Sequence, residues 1–455
     1  MLDYRFERCT FSMPRLSGLE EMKGGDMCKI NSFKGLLLSI LAVGVLLGGS
    51  VLPVDAAPPG APAELKVAFV DYLSGPASIA GISGKNAIEW LVDKYNKEGG
   101  INGVPFKLII LDENGGPAKM VTEFRRLVME EKVNAVLGYT SSSDALALAP
   151  VAEELKTLTV IHIAGTHRLT EEHKLHYMFR AANSQAADSV MLAKYVLKLK
   201  PNLKSIAGVN EDYAFGRDNW GDFKDAIQAM KPDVEVKAEL WTKFQSQENS
   251  AEISKLLATK ADVIHSSFWA AGLISFMRQA QPRGLFKQSL VVLPCGQQID
   301  QHVKKDMPDG VVTCPRATAC YFLDPDPENN PMQKEFLEGF RKKTGGLNPC
   351  HGSYRAYYVL SGMKAAYEKA IAQTGRWPTT EEVVMAFKAL TWKVPGDRIH
   401  MREDNQAIHD GVAGITKMSE KYGMALMEKR ERFPANTINP PLGMKTADWI
   451  KTLKK

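Results

Sequence analysis

Short apolar strands alternate with amphipathic helices along most of this chain, and that alternation narrows its possible folds more than any other feature. Leu65–Asp71 (LKVAFVD) leads through Ser74-Gly75-Pro76 into Asn86–Tyr95, where Ala87, Ile88, Leu91, Val92 and Tyr95 recur at helical spacing. Phe106–Asp112, Val133–Leu137 and Thr159–Ile163 read as further strands, with Ala118–Glu131 and Ala145–Leu155 as the helices between and after them. The rhythm continues with helices Ala187–Leu199, Trp220–Met230, Ile253–Thr259 and Leu273–Gln281. They alternate with strands Ser205–Val209, Val234–Leu240, Val263–Ser266 and Leu290–Leu293. Strands this short and this apolar are buried on both faces, which calls for parallel sheets with helices on either side. So many units need more than one sheet. Right-handed crossovers then gather the loops that follow the strands at one edge of each sheet, where open α/β sheets bind their ligands. The expected fold is α/β: two doubly wound parallel-sheet lobes facing one another across a cleft. Longer helices at Gln333–Lys343, Tyr354–Gln373 and Thr380–Leu390 set the last third apart, and 434–455 reads as a tail lying over the surface.

Composition agrees with a large globular chain. At 455 residues it is about three times the usual domain length. A 45% hydrophobic and 24% charged content excludes a disordered or collagen-like chain. The net charge of +5 is too small for the basic footprint of a nucleic-acid binder.

The N-terminus reads as a targeting device. Lys29 and Lys34 precede an apolar core at Leu36–Leu47, and Val54-Asp55-Ala56 places small residues at the −3 and −1 positions of a cleavage site. That core is short for a membrane anchor. Residues 27–56 are therefore expected to be a secretory signal peptide, with Ala57 as the mature start. Residues 1–26 carry mixed charge without periodicity and are read as an upstream extension, translation starting at Met27. Export fits Cys295, Cys314, Cys320 and Cys350, which in an oxidising compartment allow three full pairings. Their spacing does not match a zinc site, and no metal is expected.

Enzyme signatures are missing. The first strand is not followed by GxGxxG, so a dinucleotide has no glycine turn to sit on. Gly81-Ile82-Ser83-Gly84-Lys85 lacks the earlier glycine of a phosphate loop and is followed by Asn86 rather than Ser or Thr. Ser141-Ser142-Ser143, with His162 and His167 downstream, leaves a secreted serine hydrolase as a rival reading, yet no GxSxG elbow presents any of them. The loops suit binding better. Gly138–Asp144 and Ile163–Thr166 follow strands, and their small hydroxyl residues leave backbone N–H groups bare for an anion such as a carboxylate. Helix capping is the structural reading of the same residues.

Several segments in a fixed order resemble one family. Leu73-Ser74-Gly75-Pro76 comes first, then Asn96-Lys97-Glu98-Gly99-Gly100-Ile101-Asn102-Gly103 and Asp112-Glu113-Asn114 with Pro117-Ala118-Lys119. Gly138–Ser143 and Asp212-Tyr213-Ala214-Phe215-Gly216-Arg217 complete the set. Together they resemble the leucine/isoleucine/valine-binding family, the type I periplasmic solute-binding proteins of ABC importers, over roughly 65–416.

The resemblance implies two lobes joined by three crossovers, with 65–180 and 315–404 in the first and 181–314 and 405–433 in the second. It implies a non-enzymatic, cofactor-free periplasmic monomer that hands one small solute to an ABC permease and its ATPases; a sensory binding protein serving a separate receptor is the alternative. Tyr139 would supply an apolar wall. Ser141, Ser142, Gly165 and Thr166 match the donors to a ligand carboxylate. Phe215 and either Phe268 or Trp269 match the second-lobe aromatics. The family's ammonium-binding acid falls on Cys295, a departure that favours an aromatic or branched carboxylate over an amino acid. By the same resemblance, Cys320 and Cys350 would form a disulfide.

Overall fold

The computed structural model describes residues 57–317 and 330–454, all within a compact unit spanning Asp55–Lys455. The upstream extension, the signal segment and Cys320 fall outside the described residues. Two sheets dominate. The first holds β1 (Leu65–Asp71), β2 (Phe106–Asp112), β3 (Ala135–Gly138), β4 (Leu158–Ile161) and β5 (Met178–Arg180) in the order β2-β1-β3-β4-β5. All its pairs are parallel. β1, β3 and β4 are central and almost wholly buried, whereas β2, at the edge, is only half covered. That contrast comes from place in the sheet, since FKLIILD of β2 is as apolar a run as LKVAFVD of β1.

The second sheet is built from β6 (Ser205–Glu211), β7 (Glu235–Thr242), β8 (Val263–Ser266), β9 (Leu290–Leu293), β10 (Val312–Thr313), β14 (Gly411–Ser419) and β15 (Met424–Phe433). Its parallel part runs β10-β9-β8-β6-β7, and the hairpin β14-β15 adds antiparallel to β10. A small antiparallel sheet of β11 (Thr391–Val394), β12 (Asp397–Met401) and β13 (Ala407–Ile408) lies between them in sequence. β13 pairs with β12, and Gln406 bridges Arg180 at the end of β5, so the first lobe's pairing continues past 404, the boundary expected from sequence.

The chain passes between the sheets three times, after β5, after β10 and after β13. Helices Ser142–Glu154 and His351–Thr374 pack in the first lobe, and Gln185–Leu199, Ala214–Met230 and Ala270–Ala280 in the second. The first helix, Ser78–Lys97, starts eight residues before its apolar stripe. Gly81 makes this possible: a Cβ there would lie 2.0 Å from the Tyr72 carbonyl oxygen. The tail differs from its reading as a surface strap. Ile438, Trp449 and Ile450 are buried in the second-lobe core with Trp220 and Phe223, while Thr446 donates from its N–H and Oγ1 to Glu171 of the first lobe.

Candidate functional site

A cavity of about 10 Å³ lies between the lobes, and nearly every residue around it follows the carboxyl end of a parallel strand. Thr140 and Ile163 come after β3 and β4 of the first sheet. Tyr213 and Phe215 follow β6, Trp269 follows β8, and Cys295 and Gln298 follow β9 of the second. Arg316 stands on the crossover after β10, and His351 opens the helix that runs on to Thr374. Both sheets thus turn their ligand-binding edges to one point. The volume holds roughly one water, so this is the closed arrangement of the lobes.

Contacts between the lobes keep it closed. Ala271 donates its N–H to the Pro76 carbonyl at 3.3 Å, and Tyr72 meets Trp269 edge-on with ring centroids 6.0 Å apart. Thr166 Oγ1 donates to Asp218, and His167 Nδ1 lies 3.1 Å from Asp222 Oδ2. Burial opposes charge on His167, but the bond to Asp222, with Asp218 and Glu171 near, holds its pKa above the usual imidazole value. Burial also pushes the Asp222 carboxyl up. Gln185 Nε2 donates to Asp222 at 2.6 Å and lies 3.0 Å from His167 Nδ1, and within this group the raised His167 is the direction that bears on closure near neutral pH. A raised histidine pKa stabilises fully below about pH 6.5 and less as pH climbs through the folded value. The denaturant midpoint of wild type is therefore expected to fall between pH 6 and pH 8.5, with the buried Glu211 carboxyl, raised to about 8, contributing in the same direction, and Asp222→Asn to reduce that slope without abolishing it; an unchanged slope would remove the pair from the closing contacts.

The residues read from sequence divide into two groups. Phe215, Trp269 and Cys295 line the cavity. Phe268, the alternative to Trp269, packs edge-on against Phe276 in the second-lobe core, 5.2 Å between centroids. Tyr139 is fully buried in the first-lobe core with its backbone at φ 65°.

The expected carboxylate donors are engaged within the protein. Thr140 and Ser141 donate their N–H groups to Glu113 at 2.8 and 2.7 Å. Ser142 Oγ accepts from the N–H groups of Gly165 and Thr166 at 3.1 and 3.2 Å. Burial, reinforced by Asp144 and Asp71, holds the Glu113 carboxyl well above the usual carboxylate range. The hydroxyl of Ser141 caps its helix by accepting from Asp144 N–H. His162 spends Nε2 on Asp71 at 2.9 Å and His167 Nδ1 faces Asp222, and among the described residues neither histidine is hydrogen-bonded to Ser141, Ser142 or Ser143, the pairing that the hydrolase reading calls for.

Arg316 is the residue that sequence reasoning missed. Its Nε donates to Asp188 at 3.0 Å, its Nη1 lies 3.5 Å from Cys295 Sγ, and its guanidinium carbon sits 4.9 Å over the Phe215 ring. The carbonyl of Arg316 accepts from Arg355 Nε at 2.6 Å, which places a second buried cation directly behind the lining. Burial lowers the Arg355 pKa to about 10, which leaves it charged at neutral pH. Burial and the two arginines keep His351 well below its ordinary value and hence neutral. Burial raises the Cys295 thiol, with Arg316 pulling the other way. Two buried polar atoms of the lining are unpartnered, Arg316 Nη2 and Gln298 Nε2. Both are donors, since Gln298 Oε1 accepts from Ala270 N–H.

Known proteins of this architecture share the chain's pattern. The profile of a family described as periplasmic binding protein matches residues 64–419. A Leu/Ile/Val-binding protein homologue from Brucella suis is 27% identical over 365 residues, covering 78% of this chain and 86% of its own. The solute-binding protein of an ABC transporter from Rhodopseudomonas palustris BisB5, solved with 3,4-dihydroxybenzoic acid, superposes with TM-score 0.71 at 23% identity. It covers 82% of this chain and 98% of its own. A leucine-binding protein from Thermotoga maritima superposes with TM-score 0.66 at 20% identity, over 80% of this chain and 98% of its own.

Proposed function

Because the chain belongs to the periplasmic binding protein family, we propose that it is the solute receptor of an ABC importer. It captures a small carboxylate-bearing solute between its lobes in the periplasm and presents it to a membrane permease. One observation carries the choice of solute: the unpartnered polar atoms of the cavity lining, Arg316 Nη2 and Gln298 Nε2, are both donors, one of them cationic. A buried donor without a partner is costly, on the order of 1–3 kcal/mol. A carboxylate entering the cleft supplies both acceptors and ties the crossover, through Arg316, to the second-lobe loop that carries Gln298. Binding of that kind favours the closed form by differential affinity.

The fold does not choose the solute, since solved proteins of this architecture include both an aromatic-acid complex and a leucine-binding protein. The test is a thermal-shift and scattering experiment on the mature chain with benzoate, leucine and short aliphatic acids. At least one carboxylate is expected to raise the melting temperature without being consumed and to shrink the radius of gyration. If no carboxylate does either, the receptor reading falls.

A further inference from the structure

Charge balance at the cavity floor narrows the solute further. Two guanidinium groups are buried there, Arg316 in the lining and Arg355 behind it on the Arg316 carbonyl; Asp188 pairs with Arg316, and Arg355 has no carboxylate on its guanidinium among the described residues. Arg355 Nη2, like Arg316 Nη2, is unpartnered. One more anion would neutralise the cluster; a zwitterionic amino acid, with no net charge, would leave it unbalanced. Among the described residues none of those lining the cavity is acidic, so an ammonium has no counter-ion. The carboxylates that touch the lining are already engaged, Asp71 and Glu113 by Thr140 and Asp188 by Arg316, and on the second-lobe side Glu211 accepts from Gln245 N–H at 2.8 Å. Burial lifts its pKa to about 8, so it is neutral at pH 7. The first-lobe donors are taken as well: Glu113 occupies the N–H groups of Thr140 and Ser141 just where an external carboxylate would dock on that helix.

The wall beside Arg316 is aromatic. Phe215 lies under the guanidinium, Tyr213 is 6.1 Å from Phe215, and Trp269 donates Nε1–H to the Tyr213 hydroxyl at 2.9 Å, which fixes the indole. A planar solute needs the lobes to part by little more than the thickness of a ring and meets these faces at stacking distance, roughly 4.5–7 Å between centroids. We infer that the solute is an aromatic monocarboxylate lacking an amine, its carboxylate held by Arg316 and Gln298 and its ring by Tyr213, Phe215 and Trp269. This rests on the receptor reading above and names its ligand class and anchor.

Calorimetry with benzoate, benzamide, phenylalanine and leucine tests it. Benzoate is expected to bind, and benzamide, with the same ring and no charge, to bind about 100-fold more weakly or worse. Phenylalanine and leucine are expected to lag by a similar factor. Arg316→Gln should cost benzoate about 100-fold. Because that change strands Asp188, the double variant Arg316→Gln/Asp188→Asn is measured beside it and checked for native circular dichroism. Wild-type-like benzoate affinity in the folded double variant would overturn the anchor. Leucine binding with benzoate silent would overturn the ligand class and leave the receptor standing, whereas silence towards every carboxylate would remove both.

Discussion

Replacing Cys295 with glutamate is expected to weaken benzoate binding by about 2–5 kcal/mol, a loss of roughly 30-fold to several thousand-fold. Cys295 Sγ lies 3.5 Å from Arg316 Nη1, so a carboxylate grown from this position reaches the guanidinium directly. It would take the charge that the solute needs and oppose the solute's own carboxylate in a site shielded from water. For an α-amino acid the new carboxylate would meet an ammonium, and affinity should hold or improve. Calorimetry on Cys295→Glu with benzoate and leucine separates the cases. A gain for benzoate would overturn the reading of position 295.

Asp71→Ala is expected to lower stability by roughly 3–5 kcal/mol without any change in the solute's own contacts. Asp71 is fully buried at the end of β1 and accepts from Thr140 Oγ1 at 2.8 Å and Tyr72 N–H at 2.9 Å, with His162 Nε2 at 2.9 Å. Alanine leaves all three partners in the first-lobe core with nothing to bond, and the Thr140 loop loses the side chain that ties it to β1. Urea melts should show a lower midpoint at an unchanged slope. Asp71→Asn, which keeps an acceptor and loses the charge, should fall between. A midpoint within experimental error of wild type would show that the network contributes nothing net.

The parallel strands were legible because burial on both faces leaves an uninterrupted apolar signature: β1, β8 and β9 were read at the bounds they have. β5 was not, since Met178–Arg180 is three residues long and ends on a buried arginine. The hairpin β14-β15 escaped for the opposite reason. Its outer strand carries Glu428, Lys429, Arg430, Glu431 and Arg432 at an exposed sheet edge, and so reads as polar chain. At the site, Phe215, Trp269 and Cys295 were reached through the family resemblance, whose matched positions follow strands with clear signals. Arg316 follows a strand of only two residues on a crossover, so no periodic pattern marked it. The serine loop was found, but what its N–H groups bind was not, because Glu113 comes from a different strand end. That partnership is a fact of tertiary structure alone.

The end of the chain has a mechanical consequence. With Trp449 and Ile450 sunk in one lobe and Thr446 fastened to Glu171 of the other, the last helix is a non-covalent tether laid beside three covalent ones. Parting the lobes must stretch or release it, so its strength enters the ratio of open to closed receptor in the absence of solute. Weakening it would speed capture and release together, and a fluorophore pair reporting on residues 171 and 446 would follow the receptor's opening in real time from a position remote from the solute.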